Sequence, residues 1–163
     1  MAGLHLTGLG CAPVHPQKSA SGVVGNPLEL SLPDLDGRVV EVARDRGHVR
    51  VVDFWATWCE PCREALPALD ALSRELGPRG LSVYGVSVDE DRERILEFLA
   101  KTRVGFPILW DKGAVEVTRF DVTYMPVTLL VDRHGVIRHV HQGWDRKEAR
   151  NQRREIEALL AEP

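Results

Sequence analysis

The sequence predicts an α/β fold with a mixed central sheet and helices on both of its faces, and three features point to it. Val49 to Trp55 and Leu81 to Val88 are nearly unbroken runs of β-branched and aromatic residues, as strands covered on both faces require. Segments with apolar residues at helical spacing follow each run, so strands and helices alternate. A hairpin and one last helix then close the chain, which makes the sheet mixed rather than purely parallel.

Residues 1–24 hold Pro13, Pro16 and Ser19-Ala20-Ser21-Gly22 without sustained periodicity, and read as a tail or tether ahead of a single domain spanning 25–163. Leu28 to Leu32 alternates apolar and polar residues, Asp36-Gly37 carries a turn, and Val39 to Val42 alternates again, an N-terminal β-hairpin. After the Val49–Trp55 strand, Leu66, Leu69, Leu72 and Leu76 mark a helix opening near Glu60 and stopped by Gly77-Pro78. Leu81 to Val88 is the second buried strand. Asp91 to Lys101 is a helix with Ile95, Phe98 and Leu99 inward, Phe106 to Trp110 a short strand, and Gly113 to Phe120 another helix. Pro126 to Asp132 and Val136 to Gln142 form the closing hairpin around Arg133-His134-Gly135, and Asp145 caps a final helix through Leu160.

The chain has 163 residues, 44% hydrophobic and 28% charged, enough for one core without disulfide staples. Its formal charge of −3 offers no basic excess, which argues against nucleic acid as a partner. The basic cluster Arg146 to Arg154 is interleaved with Glu148 and Glu155 at helical spacing, and reads as the solvated face of the last helix. Three cysteines are too few for a scaffold, and two of them form a Cys-x-x-Cys. The third, Cys11, follows Leu9-Gly10 and loosely matches a lipoprotein cleavage site, but Met1 to Gly10 lacks Lys or Arg and is short for a signal. A lipidated cysteine and a free cysteine in a tail both remain open.

Cys59 stands at the start of a helix, where unsatisfied N–H groups and the positive dipole end stabilise a thiolate. Cys62 follows one turn later on the same face, close enough for the sulfurs to form and break a disulfide. Cys59 is assigned as the attacking nucleophile and Cys62 as the resolving thiol. Pro61 in the first turn costs no hydrogen bond. Haem attachment would need a His where Arg63 stands, and a zinc site lacks further ligands beyond Cys11 and the His139/His141 pair of one strand face, so no metal is assigned. A purely structural disulfide of this span closes too short a loop to stabilise the fold much. Asp53 interrupts the apolar run Val51-Val52-Asp53-Phe54-Trp55. It reads either as a buried acid of raised pKa that exchanges a proton with Cys62, which we favour, or as an Asp reaching solvent or a backbone partner.

The block Val52-Asp53-Phe54-Trp55-Ala56-Thr57-Trp58-Cys59-Glu60-Pro61-Cys62 resembles the active-site strand and loop of thioredoxin-fold proteins. Arg63-Glu64-Ala65-Leu66-Pro67, with a proline eight residues after the first Cys, resembles the TlpA/ResA branch. Asn26-Pro27, the stretch 32–37, Val86-Ser87-Val88-Asp89 and Tyr124-Met125-Pro126-Val127-Thr128 extend the likeness from about Gly25 to the last helix. The resemblance implies a thioredoxin fold in which Pro126 is a cis-proline facing the cysteines and the backbone of Met125 pairs with an extended substrate. A trans Pro126 opening an edge strand is the alternative. It also implies that Trp58 and Trp55 frame the active-site surface, although Trp55 suits a core equally well. Many members carry an acid three positions after the second Cys; here Ala65 stands there, which would leave proton handling to Asp53. Glu60 between the cysteines disfavours a Cys59 thiolate and pushes the couple toward reducing character.

The family further implies a thiol-disulfide oxidoreductase that reduces protein disulfides in the bacterial envelope, for instance during cytochrome c maturation. Its redox group would be the Cys59–Cys62 couple itself, with no added cofactor. Protein thiols and disulfides would be its substrates, a thiol protein its upstream electron donor, and its state a monomer. Membrane contact is expected only through an N-terminal anchor, if one is present. A cytoplasmic thioredoxin-like reductase and a non-catalytic thioredoxin-fold binding module are the competing readings.

Overall fold

A computed structural model describes residues 20–120 and 124–163. Cys11 and the first part of the expected tail lie outside the described residues. A 3₁₀ turn at Ala20–Val23 leads into the fold, and the amide of Gly25 donates to the carbonyl of Ile137.

The N-terminal hairpin pairs β1 (Ser31–Pro33) with β2 (Val39–Glu41). It begins three residues later than the alternation implies, because Leu28 and Leu30 enter the core ahead of the paired segment. The main sheet is formed by β3 (Val49–Trp55), β4 (Leu81–Ser87), β5 (Ile108–Trp110), β6 (Val127–Val131) and β7 (Ile137–Gln142), in the order β5-β4-β3-β6-β7. The β3–β4 and β4–β5 pairs are parallel, whereas β3–β6 and β6–β7 are antiparallel, giving the mixed sheet. All seven residues of the central strand β3 are buried.

Helices α1 (Glu60–Leu76), α2 (Arg92–Lys101), α3 (Val115–Arg119) and α4 (Arg146–Ala161) complete the fold. Residues of β3 alternate between two cores. Val49, Val51 and Trp55 pack with Leu66 and Leu69 of α1 and Ile156 and Leu159 of α4, whereas Val52 and Phe54 pack with Leu28, Leu30 and Phe120. Asp91 and Asp145 cap α2 and α4, their side chains accepting from the amides of Glu93 and Glu148. Gly77 does not end α1 in a left-handed turn: it stays right-handed, the chain tightens into a 3₁₀ turn through Arg79, and the reversal falls on Gly80 with φ of 98°. Pro78 has no amide to donate, which suits the first turn of that tighter helix.

Gly85 on β4 sits directly beside Asp53 in the sheet. A Cβ there would meet Ile108 Cδ1 at 2.8 Å, Phe106 at 3.1 Å and Trp55 Nε1 at 3.2 Å. Gly85→Ala is therefore expected to overpack the core and cost about 1–3 kcal/mol, read as a lower urea midpoint at unchanged slope.

Candidate active site

The central strand ends at Trp55, and residues 56–59 turn directly into α1. Cys59 is the residue capping that helix, with extended backbone (φ −87°, ψ 107°), and its amide donates to the carbonyl of Ala56. Its side chain thus stands over the unsatisfied N–H groups of the first turn. A disulfide joins Cys59 to Cys62 with the Cα atoms 5.4 Å apart. Both are buried, but Cys59 keeps 5% exposure and lines the groove beside it whereas Cys62 keeps none, so Cys59 is the sulfur an incoming thiol meets first. Glu60 points into solvent and pairs with Arg63 at 3.7 Å, which draws part of its charge away from Cys59.

The loop ahead of Cys59 is held from β4. Asp89, 3% exposed, accepts from the amide of Thr57 at 2.9 Å, from Thr57 Oγ1 at 2.6 Å and from Ser87 Oγ at 2.8 Å. Trp110 Nε1 donates to the Asp89 carbonyl at 2.6 Å. Removing this carboxylate strands several buried donors, so Asp89→Ala is expected to cost about 2–4 kcal/mol in chemical denaturation and to slow attack at Cys59.

A shallow, mainly apolar groove of about 470 Å³ runs past Cys59, lined by Trp58, Pro61, Val88, Tyr124 and Met125 among others. Trp58 and Tyr124 are exposed by 65% and 69%, large aromatic faces at the groove's rim. The Met125–Pro126 peptide is cis. Trp55 lies elsewhere: it is wholly buried, its ring 5.3 Å from that of Phe98, and serves the core rather than the surface.

Asp53 is wholly buried on the sheet face that carries α1 and α4, the face to which Cys62 also belongs. Thr128 Oγ1, directly across in β6, donates to Asp53 Oδ1 at 2.7 Å, while Oδ2 has no partner. Burial drives its pKa up from 3.8 to about 7, against the lowering effect of the Thr128 hydrogen bond. Among the described residues, Asp53 reaches neither solvent nor a backbone donor. A carboxyl titrating near neutrality inside the core is suited to carrying a proton.

Sequence reasoning passes over four neighbours of this site. Asp89 and Thr128 occur in the motif strings but carry no signal of their own, and Arg63 is one more charge on a helix. Gln152 hides in the basic face of α4, yet it is wholly buried and its Nε2 donates to Thr128 Oγ1 at 3.2 Å. The four-residue spacing from Glu148 and from Ile156 is the only hint that Gln152 faces inward. His139 and His141 do share a face, their rings 6.4 Å apart. His141 is occupied by carboxylates, Nδ1 with Glu148 and Nε2 with Glu155 at 2.7 Å.

The AhpC/TSA family profile matches residues 24–140. A thiol-disulfide oxidoreductase ResA of Halalkalibacterium halodurans is 30% identical over 71% of this chain and 66% of its own length. The thioredoxin-like protein YneN of Bacillus subtilis is 30% identical over 79% of this chain and 76% of its own. Among solved structures, a Chlorobium tepidum protein described as a thiol:disulfide interchange protein DsbE superimposes with a TM-score of 0.81 at 28% identity, covering 85% of this chain and 98% of that one. MTB DsbF, solved in mixed oxidized and reduced forms, gives 0.71 at 26% identity over 81% and 96%. With a thioredoxin-type sheet, a disulfide at the start of α1 and these relatives, the chain belongs to the AhpC/TSA family and is a thiol-disulfide oxidoreductase of the ResA/DsbE type.

Proposed function

We propose that the protein is a reductase of protein disulfides in the bacterial cell envelope, with cysteine pairs such as those of apocytochrome c among its substrates. Cys59, which lines the groove, beside the wholly buried Cys62 carries this reading. In the reduced protein the Cys59 thiolate attacks one sulfur of a substrate disulfide. An enzyme–substrate mixed disulfide forms, and the other substrate sulfur leaves as a thiolate that takes a proton from water. Cys62 then gives its proton to the ionised carboxylate of Asp53 and attacks Cys59 Sγ. The Cys59–Cys62 disulfide forms as the bond from Cys59 to substrate breaks, and the second substrate sulfur departs as a thiolate that takes a proton from water. Substrate gains the two electrons that the enzyme loses. A thiol protein upstream restores the dithiol by the reverse exchange, with Asp53 returning the proton to Cys62.

The remaining residues support this sequence. Trp58, Tyr124 and Met125 offer an apolar face on which an extended peptide rests, with the backbone of Met125 as its partner. Pro61 stiffens the turn between the cysteines. Glu60, only partly balanced by Arg63, holds back the thiolate stabilisation that would make the couple a strong oxidant. The envelope assignment rests on the ResA and DsbE relatives. Residues 1–24 would be its tether, a single copy its working unit, and the cysteine couple its sole redox group.

The test is a peptide containing an oxidised Cys-x-x-Cys-His, mixed with the reduced protein. One equivalent of peptide dithiol formed per enzyme disulfide is expected. An unreacted peptide, with the enzyme dithiol intact, contradicts the substrate class.

A further inference from the structure

Three strands present polar side chains beneath α4 in one line. Asp53 of β3 lies across from Thr128 of β6, and Thr128 lies across from His141 of β7. Above them α4 supplies Glu148, Gln152 and Glu155, which its turn places on one face. His141 is claimed by the two glutamates, so Gln152 alone from α4 reaches the Asp53–Thr128 pair.

The bonds have a direction. Gln152 Nε2 donates to Thr128 Oγ1, so the threonine oxygen accepts there and spends its single proton on Asp53 Oδ1. That arrangement serves an ionised carboxylate. It leaves Gln152 Oε1 buried without a partner, a costly state for an amide oxygen wholly out of solvent. With its proton on Oδ1, Asp53 takes the opposite arrangement: that O–H donates to Thr128, and the threonine proton must find an acceptor. Turning the amide of Gln152 over brings Oε1 to that position.

We propose that Gln152 is a positioning residue for the proton step of disulfide exchange, its amide donating to Thr128 while Asp53 is ionised and accepting from it while Asp53 is protonated. The proposal rests on the reading of Asp53 as the proton carrier for Cys62. An amide offers donor and acceptor from one planar group while carrying no titrating proton of its own. Alternating in this way, the relay keeps Asp53 Oδ1 hydrogen-bonded in both protonation states. The ionisable groups facing this region are Cys59 and Cys62 from α1, His139 and His141 from β7, and Glu148 and Glu155 from α4; opposite Asp53, β4 presents Gly85.

The test titrates the Asp53 carboxyl carbon by NMR in the reduced protein, alongside the pH–rate profile of disulfide reduction. Gln152→Glu keeps the shape but, once ionised, only accepts. It is expected to pull the Thr128 proton away and raise both midpoints by about one pH unit or more. In the Thr128→Val background that rise should shrink by at least about half, because the hydroxyl transmits it. An undiminished rise would mean plain charge repulsion and would overturn the relay, as would no rise at all. If Gln152→Glu fails to fold, Gln152→Met carries the test. Loss of the amide should slow the resolving step about three- to tenfold with the melting temperature nearly kept, and an unchanged rate overturns the proposal. Asp53→Asn separates the two failures. Should that variant keep the wild-type pH profile, the reading of Asp53 falls; should it flatten the profile while the Gln152 variants change nothing, only the relay falls.

Discussion

Cys62→Ser protein is expected to accumulate a stable mixed disulfide through Cys59 and to lose multiple-turnover disulfide reduction by about 10³-fold or more. The first attack needs only the groove-lining sulfur at the start of α1, which the substitution leaves in place. Resolution needs a second sulfur within bonding reach, and Ser at 62 cannot supply one. Cys59→Ser should instead give no adduct at all, since Cys62 is wholly buried. Non-reducing electrophoresis with intact-mass measurement distinguishes the two variants directly. An adduct through Cys62 in the Cys59→Ser protein would reverse the assignment of nucleophile and resolving thiol.

Asp53→Asn is expected to slow disulfide reduction near neutral pH by about 10²-fold while stabilising the fold at alkaline pH. The stability effect follows from burial. Asp53 holds its proton up to about pH 7 in the folded chain but releases it near 3.8 when exposed. Between those values the folded state binds the extra proton, so stability falls as pH rises through this window and the loss is complete above about pH 7. The span corresponds to about 4 kcal/mol. Replacement by Asn removes the cost of burying the charge, so the gain in melting temperature should be several degrees at pH 8 and should shrink toward pH 4, where Asp53 is already neutral. A gain independent of pH would place its origin in packing instead.

Most of the scaffold was legible because its elements follow strong periodicities. The β3 and α1 boundaries at Val49–Trp55 and Glu60–Leu76 coincide with an unbroken apolar run and a leucine stripe. Where a segment is anchored by tertiary contacts instead, its edges moved. Phe106 belongs to the core but not to β5, which begins at Ile108, and Leu28 and Leu30 are buried outside the paired hairpin. The end of α1 shifted because Gly77 accommodates a tighter helix before Gly80 reverses the chain. In the site, Cys59, Cys62 and Asp53 stood out because each breaks its local pattern: two thiols at a helix start, one acid in an apolar strand. Asp89, Thr128 and Gln152 break no pattern. Their roles arise from which strands lie side by side and from the placement of α4 over β6, and such long-range adjacency has no signature in residue spacing.

The reduction potential of the Cys59–Cys62 couple in glutathione buffers, with Cys11 replaced by Ser, separates a reductase from a disulfide donor. A reductase requires a value near that of thioredoxin, roughly −270 mV, or lower. A value near roughly −120 mV would rule out a reductase and make the protein a donor of disulfides.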